Sequence, residues 1–440
     1  MIKRLLIIGA LTGAAHLTTI IVLKILTGSV GVSEIKTIGE IDSIFNLVIN
    51  ILAAGLLIST VREIVIAGDN WKQVYFESQQ ARLSLGLLLL IICLVGIYNQ
   101  SYFLLAAAPI FALHGDYALY GRRLPVFASI LTFLRVFIPS LTLLLFSQLW
   151  PEFIIHAFAI STMFMYIITG IIISNKLGVP YFIKPSIHSL HHYLKTVNGG
   201  IISFGYYFFG LGVIILGGFF FDERVIAIAY IAAKLYVIYK GVLRILNQSF
   251  FNDLKDIDMC NKVDYLATLA GIILLIATFM FPIAFQEFFI DKKISPNPYW
   301  VALLGITGFI ISPFTSFTSK AMLEKKDKAY AIITILGLLV SFIVCVTCYF
   351  LNTDETGLLI SLIAGELTCV IGLIKISGSV NLIKKRFYFI LRVLPLVLIP
   401  YGVKYFAGDT TITMIVSLIV FGIIALITNM KSFRLELSDK

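Results

Sequence analysis

Five basic residues, Lys24, Arg135, Lys234, Lys240 and Arg392, and two acids, Asp116 and Glu366, fall inside stretches made otherwise of Leu, Ile, Val, Phe and Ala. An ionisable group in such surroundings is costly unless it faces water, a partner or the protein interior, so each marks a candidate cavity wall, ion path or internal pair. Arg135 is the best placed of them, about eleven residues into its apolar stretch. Its helical face reads Ala128, Thr132, Arg135, Pro139, Thr142, a small and polar stripe at spacings of four and three that points inward. Two readings follow for it: a cation lining a wet cavity and ready for an anionic group, or one half of an ion pair with an acid such as Asp116 or Glu366.

Tyr236, Lys240, Arg244 and Asn247 share one helical face with Ala229 and Ala233. Lys234 lies about 160° away from Tyr236 around that helix, so the two cannot line one narrow cavity. Lys240 and Arg244 stand near the end of the stretch, where a long side chain either reaches water or lines the cavity. Lys24 falls near the outer end of the first apolar stretch and reads either as cavity wall or as interface anchor. Glu366 and Asp116 either titrate in a proton- or sodium-coupled cycle or serve as internal partners of Arg135 or Lys234. His114 is two residues from Asp116, and on a continuous helix it would face nearly the opposite way, which argues against a His–Asp relay.

Other patterns point away from covalent chemistry. Cys345 and Cys348 have the spacing of a redox or metal pair but lie in an apolar stretch with no further ligand nearby, so they read as helix packing. His188, His191 and His192 have helical spacing without an accompanying carboxylate, which fits an interfacial helix better than a metal site. With no phosphate-binding loop, nucleophile elbow or metal-ligand helix in the chain, the sequence implies no enzyme, no cofactor and no metal.

The elements that carry these residues follow from composition. Of the 440 residues 59% are hydrophobic and 13% charged, with a mean hydropathy of +0.98, against roughly 25% charged in a soluble chain. A bilayer accepts that apolar surface and a water-soluble core of this size does not. The hydropathy pattern predicts about fourteen spans, among them 5–27, 41–62, 82–98, 101–120, 125–147, 199–220, 224–246, 356–376, 387–406 and 411–428. Met1-Ile2-Lys3-Arg4 opens an apolar run that continues past Ala14 and Ala15, so it reads as an uncleaved first span. Of 34 Lys and Arg residues, five lie at membrane depth and five (Lys36, Arg224, Lys292, Lys293 and Lys404) fall in alternate loops with the rest on the other side. Cytoplasmic loops retain Lys and Arg, so both termini are expected in the cytoplasm. The net charge of +10 is mostly this bias; it implies acidic lipid headgroups as neighbours and no nucleic-acid partner.

Spans one and seven start on the same side, so 1–175 and 199–376 read as two six-helix lobes of like orientation, joined by a cytoplasmic linker 176–198 and followed by two further spans and a tail in 377–440. An inner connection of some twenty residues is expected after span two. Span seven holds Gly199, Gly200, Gly205, Gly210, Gly212, Gly217 and Gly218, which serve either a hinge or close helix packing.

Three stretches resemble the Wzx-type polysaccharide and O-antigen flippases of the multidrug/oligosaccharidyl-lipid/polysaccharide exporter superfamily. They are Leu26-Thr27-Gly28-Ser29-Val30-Gly31 with Ala54-Gly55-Leu56-Leu57 and Ala67-Gly68-Asp69-Asn70; Gly212 to Gly217 with Asn247-Gln248-Ser249-Phe250-Phe251; and Ala321 to Lys328 with Ala364-Gly365-Glu366-Leu367. The resemblance implies an all-α polytopic membrane protein, two six-helix bundles in a V-shaped MATE-like arrangement plus two C-terminal helices, around a cationic cavity. It implies a flippase that moves a polyprenyl-diphosphate-linked oligosaccharide from the inner to the outer leaflet of a bacterial cytoplasmic membrane, with the polymerase and chain-length proteins of the same pathway as partners. The alternative of the same fold is a multidrug or organic-cation antiporter. Drug exporters of the superfamily often carry an acid in the first span, where this chain has Lys24 and His16.

Overall fold

A computed structural model describes residues 2–95, 100–250, 254, 256–290, 299–377 and 380–429. The far part of the expected outer connection 285–298 and the basic residues Lys255, Lys292, Lys293, Lys431, Arg434 and Lys440 lie outside the described residues. Among the described residues every regular element is helical, and twelve helices are long and apolar enough to cross a membrane. The protein is a multi-pass membrane protein. Side chains such as Leu17, Ile21, Ile66, Phe164, Ile343 and Phe350 stand exposed, a surface that suits lipid and not water.

The chain forms two compact units, Met1–Tyr230 and Ile231–Lys440. The first holds α1 (Ile2–Ser29), α2 (Val32–Ala53), α3 (Leu56–Ala67), α4 (Trp71–Val95), two short helices α5 (Ala108–Ala112) and α6 (Asp116–Gly121), then α7 (Pro125–Leu149), α8 (Ile154–Leu177), α9 (His191–Lys195), α10 (Val197–Tyr207), α11 (Val213–Gly217) and the start of α12 (Glu223–Ser249). Within it α7 packs between α1 and α8, and α4 packs on α3 and α5. The second unit takes the rest of α12 and adds α13 (Ile257–Met280), α14 (Pro282–Phe289), α15 (Tyr299–Ile311), α16 (Thr315–Leu323), α17 (Asp327–Phe350), α18 (Glu355–Ser377), α19 (Val380–Val393), α20 (Leu398–Ala407) and α21 (Thr411–Thr428). Here α17 lies along α18, and α13 contacts α15, α19 and α21.

Many hydroxyls inside the long helices are satisfied within their own turn: Thr18, Ser129, Thr132, Thr142, Thr162, Thr169 and Thr268 each donate to the carbonyl four residues back. A Ser or Thr in an apolar helix needs that bond because no water is at hand.

Three expectations change. The span expected at 41–62 is interrupted at Ala54 and Gly55, both at positive φ, and α2 carries Glu34, Lys36, Glu40 and Asp42 along its length. The stretch 101–120 is not one helix but a 3₁₀ segment, Gln100–Ala107, followed by α5 and α6 with a break at His114 and Gly115. The connection expected after span two is helical, since only the 3₁₀ turn Gly68–Asn70 separates α3 from α4.

The glycines of span seven stand in two different settings. Gly210 has φ −147° and ψ −110° beside Phe209 at ψ 31°, a kink between α10 and α11. Gly199 and Gly200 instead lie against the backbone of Ala54 and Gly55, where a Cβ on Gly200 would stand 3.0 Å from the Ala54 carbonyl. Near this crossing the linker docks on α4: the backbone N–H of Ser186 donates to Ser84 Oγ (2.9 Å), Ser189 Oγ donates to Gln80 Oε1 (3.2 Å), and His192 Nε2 lies 3.5 Å from Glu77 Oε2.

Candidate functional site

In the first unit, α6 begins at Asp116 and α7 presents Arg135 one helix away. Arg135 Nη2 lies 2.9 Å from Asp116 Oδ2 and donates to Thr132 Oγ1 at 3.0 Å. Its Nη1 is 3.3 Å from His114 Nδ1, and the guanidinium carbon stands 5.1 Å from the centre of the Tyr166 ring. His114 Nδ1 is in turn 3.5 Å from Asp116 Oδ1. The three side chains are 10%, 23% and 3% exposed for Arg135, Asp116 and His114. The arrangement therefore realises the ion-pair reading of Arg135, with Asp116 as the partner.

His114 corrects the sequence argument directly. The 100° per residue rotation that turned it away from Asp116 holds only on a continuous helix, and the chain leaves helix at His114 and Gly115. Both side chains then reach the same guanidinium. Arg82, the first residue of the span expected at 82–98, is buried as well. It donates to the His114 carbonyl, to the Phe111 carbonyl (3.1 Å) and to Gln79 Oε1 (3.0 Å), and Gln79 donates to the Leu113 carbonyl (3.0 Å). These bonds satisfy the carbonyls that the broken helix leaves open.

In the second unit, Tyr236 and Lys240, one turn apart on α12, meet Glu366 on α18. Lys240 Nζ is 2.6 Å from Glu366 Oε1, the Tyr236 hydroxyl donates to the same oxygen at 2.7 Å, and Lys240 stands over the Tyr236 ring at 5.0 Å. All three residues are buried. Of the remaining candidates, Lys24, Arg244 and Arg392 are exposed and Lys234 is half-buried; neither centre includes them.

Two buried acids escaped the sequence reading. Asp264 on α13 accepts from Arg386 Nε (2.8 Å) and Nη2, from the Ser316 backbone N–H (2.8 Å) and from Ser316 Oγ (2.7 Å). Asp42 on α2 accepts from the Tyr230 hydroxyl (3.3 Å) and from Asn46 Nδ2 (3.1 Å). Arg386 follows Lys384 and Lys385 in the sequence. Its signal was available in the spacing Leu382, Arg386, Phe389, Val393, one buried face of α19.

No protein-family profile and no curated protein matches the sequence. Solved structures do match its fold. A lipid II flippase, MurJ, in an inward closed conformation aligns over 98% of this chain and 100% of its own, with a TM-score of 0.73 at 13% identity. An inward-facing multidrug resistance MATE family transporter of the MOP superfamily aligns over 86% of this chain and 95% of its own, with a TM-score of 0.56 at 16% identity. A eukaryotic MATE transporter aligns over 88% and 97%, with a TM-score of 0.51 at 13% identity. The fold is the one these transporters share.

Proposed function

We propose that the protein is a flippase that carries a polyprenyl-diphosphate-linked oligosaccharide repeat unit from the inner to the outer leaflet of a bacterial cytoplasmic membrane by alternating access. The observation that carries the reading is the Arg135 centre: a guanidinium at membrane depth, paired with one carboxylate, whose buried Nε has no hydrogen-bond partner. A guanidinium matches phosphate geometry with two parallel bonds. The lipid's polyprenyl tail can stay in the bilayer while its diphosphate and sugars cross beside such a cation. Lys24, Lys234, Lys240, Arg244 and Tyr236 are the further candidates for the path, and Glu366 and Asp116 for ion coupling. The fold's likeness to a lipid II flippase along both whole chains supports the same class.

On this reading 1–175 and 199–376 are the two lobes, the kink at Gly210 is a hinge of the rocking motion, and both termini are cytoplasmic. The polymerase and chain-length proteins of the pathway are the expected partners. Orientation is tested by single cysteines at Glu152 and Asp327 in a cysteine-free background: an impermeant reagent added outside should label the first and spare the second. Labelling of Asp327 from outside contradicts it. Function is tested by deletion of the gene. Loss of the protein should leave lipid-linked repeat units on the inner leaflet and surface polysaccharide missing, with dye susceptibility unchanged. Normal surface glycan together with sensitivity to cationic dyes replaces this reading with the antiporter.

A further inference from the structure

We infer that the His114–Asp116–Arg135 centre couples anion binding to the uptake of one proton, with His114 as the proton acceptor; the inference rests on the function proposed above and names its coupling ion. Arg135 has only donors, so its Nη1 contact at 3.3 Å makes His114 Nδ1 an acceptor and places the ring's proton on Nε2. The neutral imidazole thus fits the resting state, in which Arg135 and Asp116 balance each other at 2.9 Å. When Arg135 turns to a phosphate oxygen, Asp116 is left as an unpaired, largely buried carboxylate, and that is strongly unfavourable. The group beside it is His114, whose Nδ1 is 3.5 Å from Asp116 Oδ1 and is vacated by the same movement. One proton from water binds at Nδ1, which then donates to Oδ1. The centre goes from Arg⁺/Asp⁻/His⁰ to Asp⁻/HisH⁺ while the Arg⁺ charge is matched by phosphate. No bond other than N–H forms, and the proton leaves when Arg135 returns, because two cations cannot share one carboxylate at this range without repulsion.

The charged and titratable groups around the ring come from every neighbouring element: Asp116 on α6, Arg135 on α7, Tyr166 on α8 with its ring centre 5.2 Å away, and Arg82 on α4, which donates to the His114 carbonyl. His114 Nε2 and Arg135 Nε are buried without hydrogen-bond partners, so neither side chain is held by every polar atom it has. His114 would thus be a proton-accepting group for transport and Asp116 the pivot between two cations.

The experiment is calorimetric titration of the detergent-solubilised full chain with farnesyl-diphosphate-linked N-acetylglucosamine, run in buffers of different ionisation heat. Both phosphates of this probe are diesters, so it has no group of its own titrating near neutral pH. Wild type should take up about one proton per probe bound near pH 7.5. His114→Asn should bind the probe with no proton uptake and with an affinity that no longer changes with pH; His114→Gln repeats the test if the first variant does not fold. Binding by wild type without proton uptake overturns the inference and leaves the proposed function standing, as does unchanged uptake in a folded His114 variant. Absence of binding by wild type overturns the proposed function and this inference with it.

Discussion

Lys240 Nζ and Glu366 Oε1 stand 2.6 Å apart with both residues buried, one from α12 and one from α18. Removing one partner of a buried pair leaves the other charge uncompensated, at a cost of about 3–5 kcal/mol, whereas replacing both with apolar groups is often neutral. Lys240→Met should therefore lower the thermal unfolding midpoint in detergent clearly, and Lys240→Met combined with Glu366→Leu should recover most of that loss. A double variant no more stable than the single one contradicts a mainly electrostatic contact.

The Asp264 carboxylate should rank above its neighbours in the second unit. Asp264→Asn leaves Arg386, 1% exposed, as a buried cation with no counter-charge, at a cost of about 3–5 kcal/mol, while Ser316→Ala removes only one hydroxyl bond to the carboxylate, worth about 1.5–3 kcal/mol. Thermal unfolding of the two variants should separate them, with Asp264→Asn the less stable. Equal midpoints would show that Arg386 draws little from the carboxylate, leaving its stacking on Phe317 at 4.3 Å as the main anchor of α19.

These two centres show what the sequence could and could not deliver. Tyr236 and Lys240 at one-turn spacing, and Arg135 with Asp116 as an alternative partner, were legible because helical phase fixes them. His114 was not, because Gly115 follows it and the helix stops there; a phase argument fails silently at such a break. The interruption at Ala54 and Gly55 and the short helices of 100–121 were not legible, because hydropathy alone reads through a break in a helix. Arg386 was not singled out because Lys384 and Lys385 precede it, although every third or fourth residue around it is apolar.

Two glycines at positive φ give a paired test of close approach against backbone strain alone. Gly55 has φ +84°, and a Cβ there would meet the Thr196 carbonyl oxygen at 2.6 Å and the Gly200 nitrogen at 2.7 Å. Gly178 is left-handed too, at φ +63° and ψ +45°, with open space around it. Gly178→Ala should cost only the left-handed strain, of order 1–2 kcal/mol, while Gly55→Ala should cost distinctly more, since backbone cannot yield as a side chain can. Measured unfolding midpoints in the reverse order would contradict the crossing of Gly55 on Gly199 and Gly200.

Docking of the linker on α4 should weaken in acid. Burial, joined by the charge of His191, holds His192 below its ordinary value of 6.5, with Lys195 acting the same way and Glu77 and Glu63 opposing. The undocked segment therefore takes up a proton that docked His192 resists, so docking is strongest above about pH 6.5 and falls as the pH drops through that value. Hydrogen exchange over 186–196, corrected for the intrinsic pH dependence, should show protection lost on acidification. His192→Gln should abolish the dependence. Protection that rises in acid would mean the Glu77 contact dominates.

The most direct test of the account places the protein in liposomes with a fluorescent polyprenyl-diphosphate-linked oligosaccharide and follows its movement between leaflets by quenching from one side. Wild type should move the lipid and leave a lipophilic cationic dye where it is. Arg135→Met combined with Asp116→Leu removes both charges of the pair at similar volume and so avoids a stranded carboxylate; it should fold with near wild-type stability yet move no lipid, and Arg135→Lys should keep part of the rate because a point charge attracts phosphate without the two-pronged fit. A double variant that moves the lipid at the wild-type rate would contradict the claim that Arg135 handles the diphosphate, and would return the residue to a purely structural role.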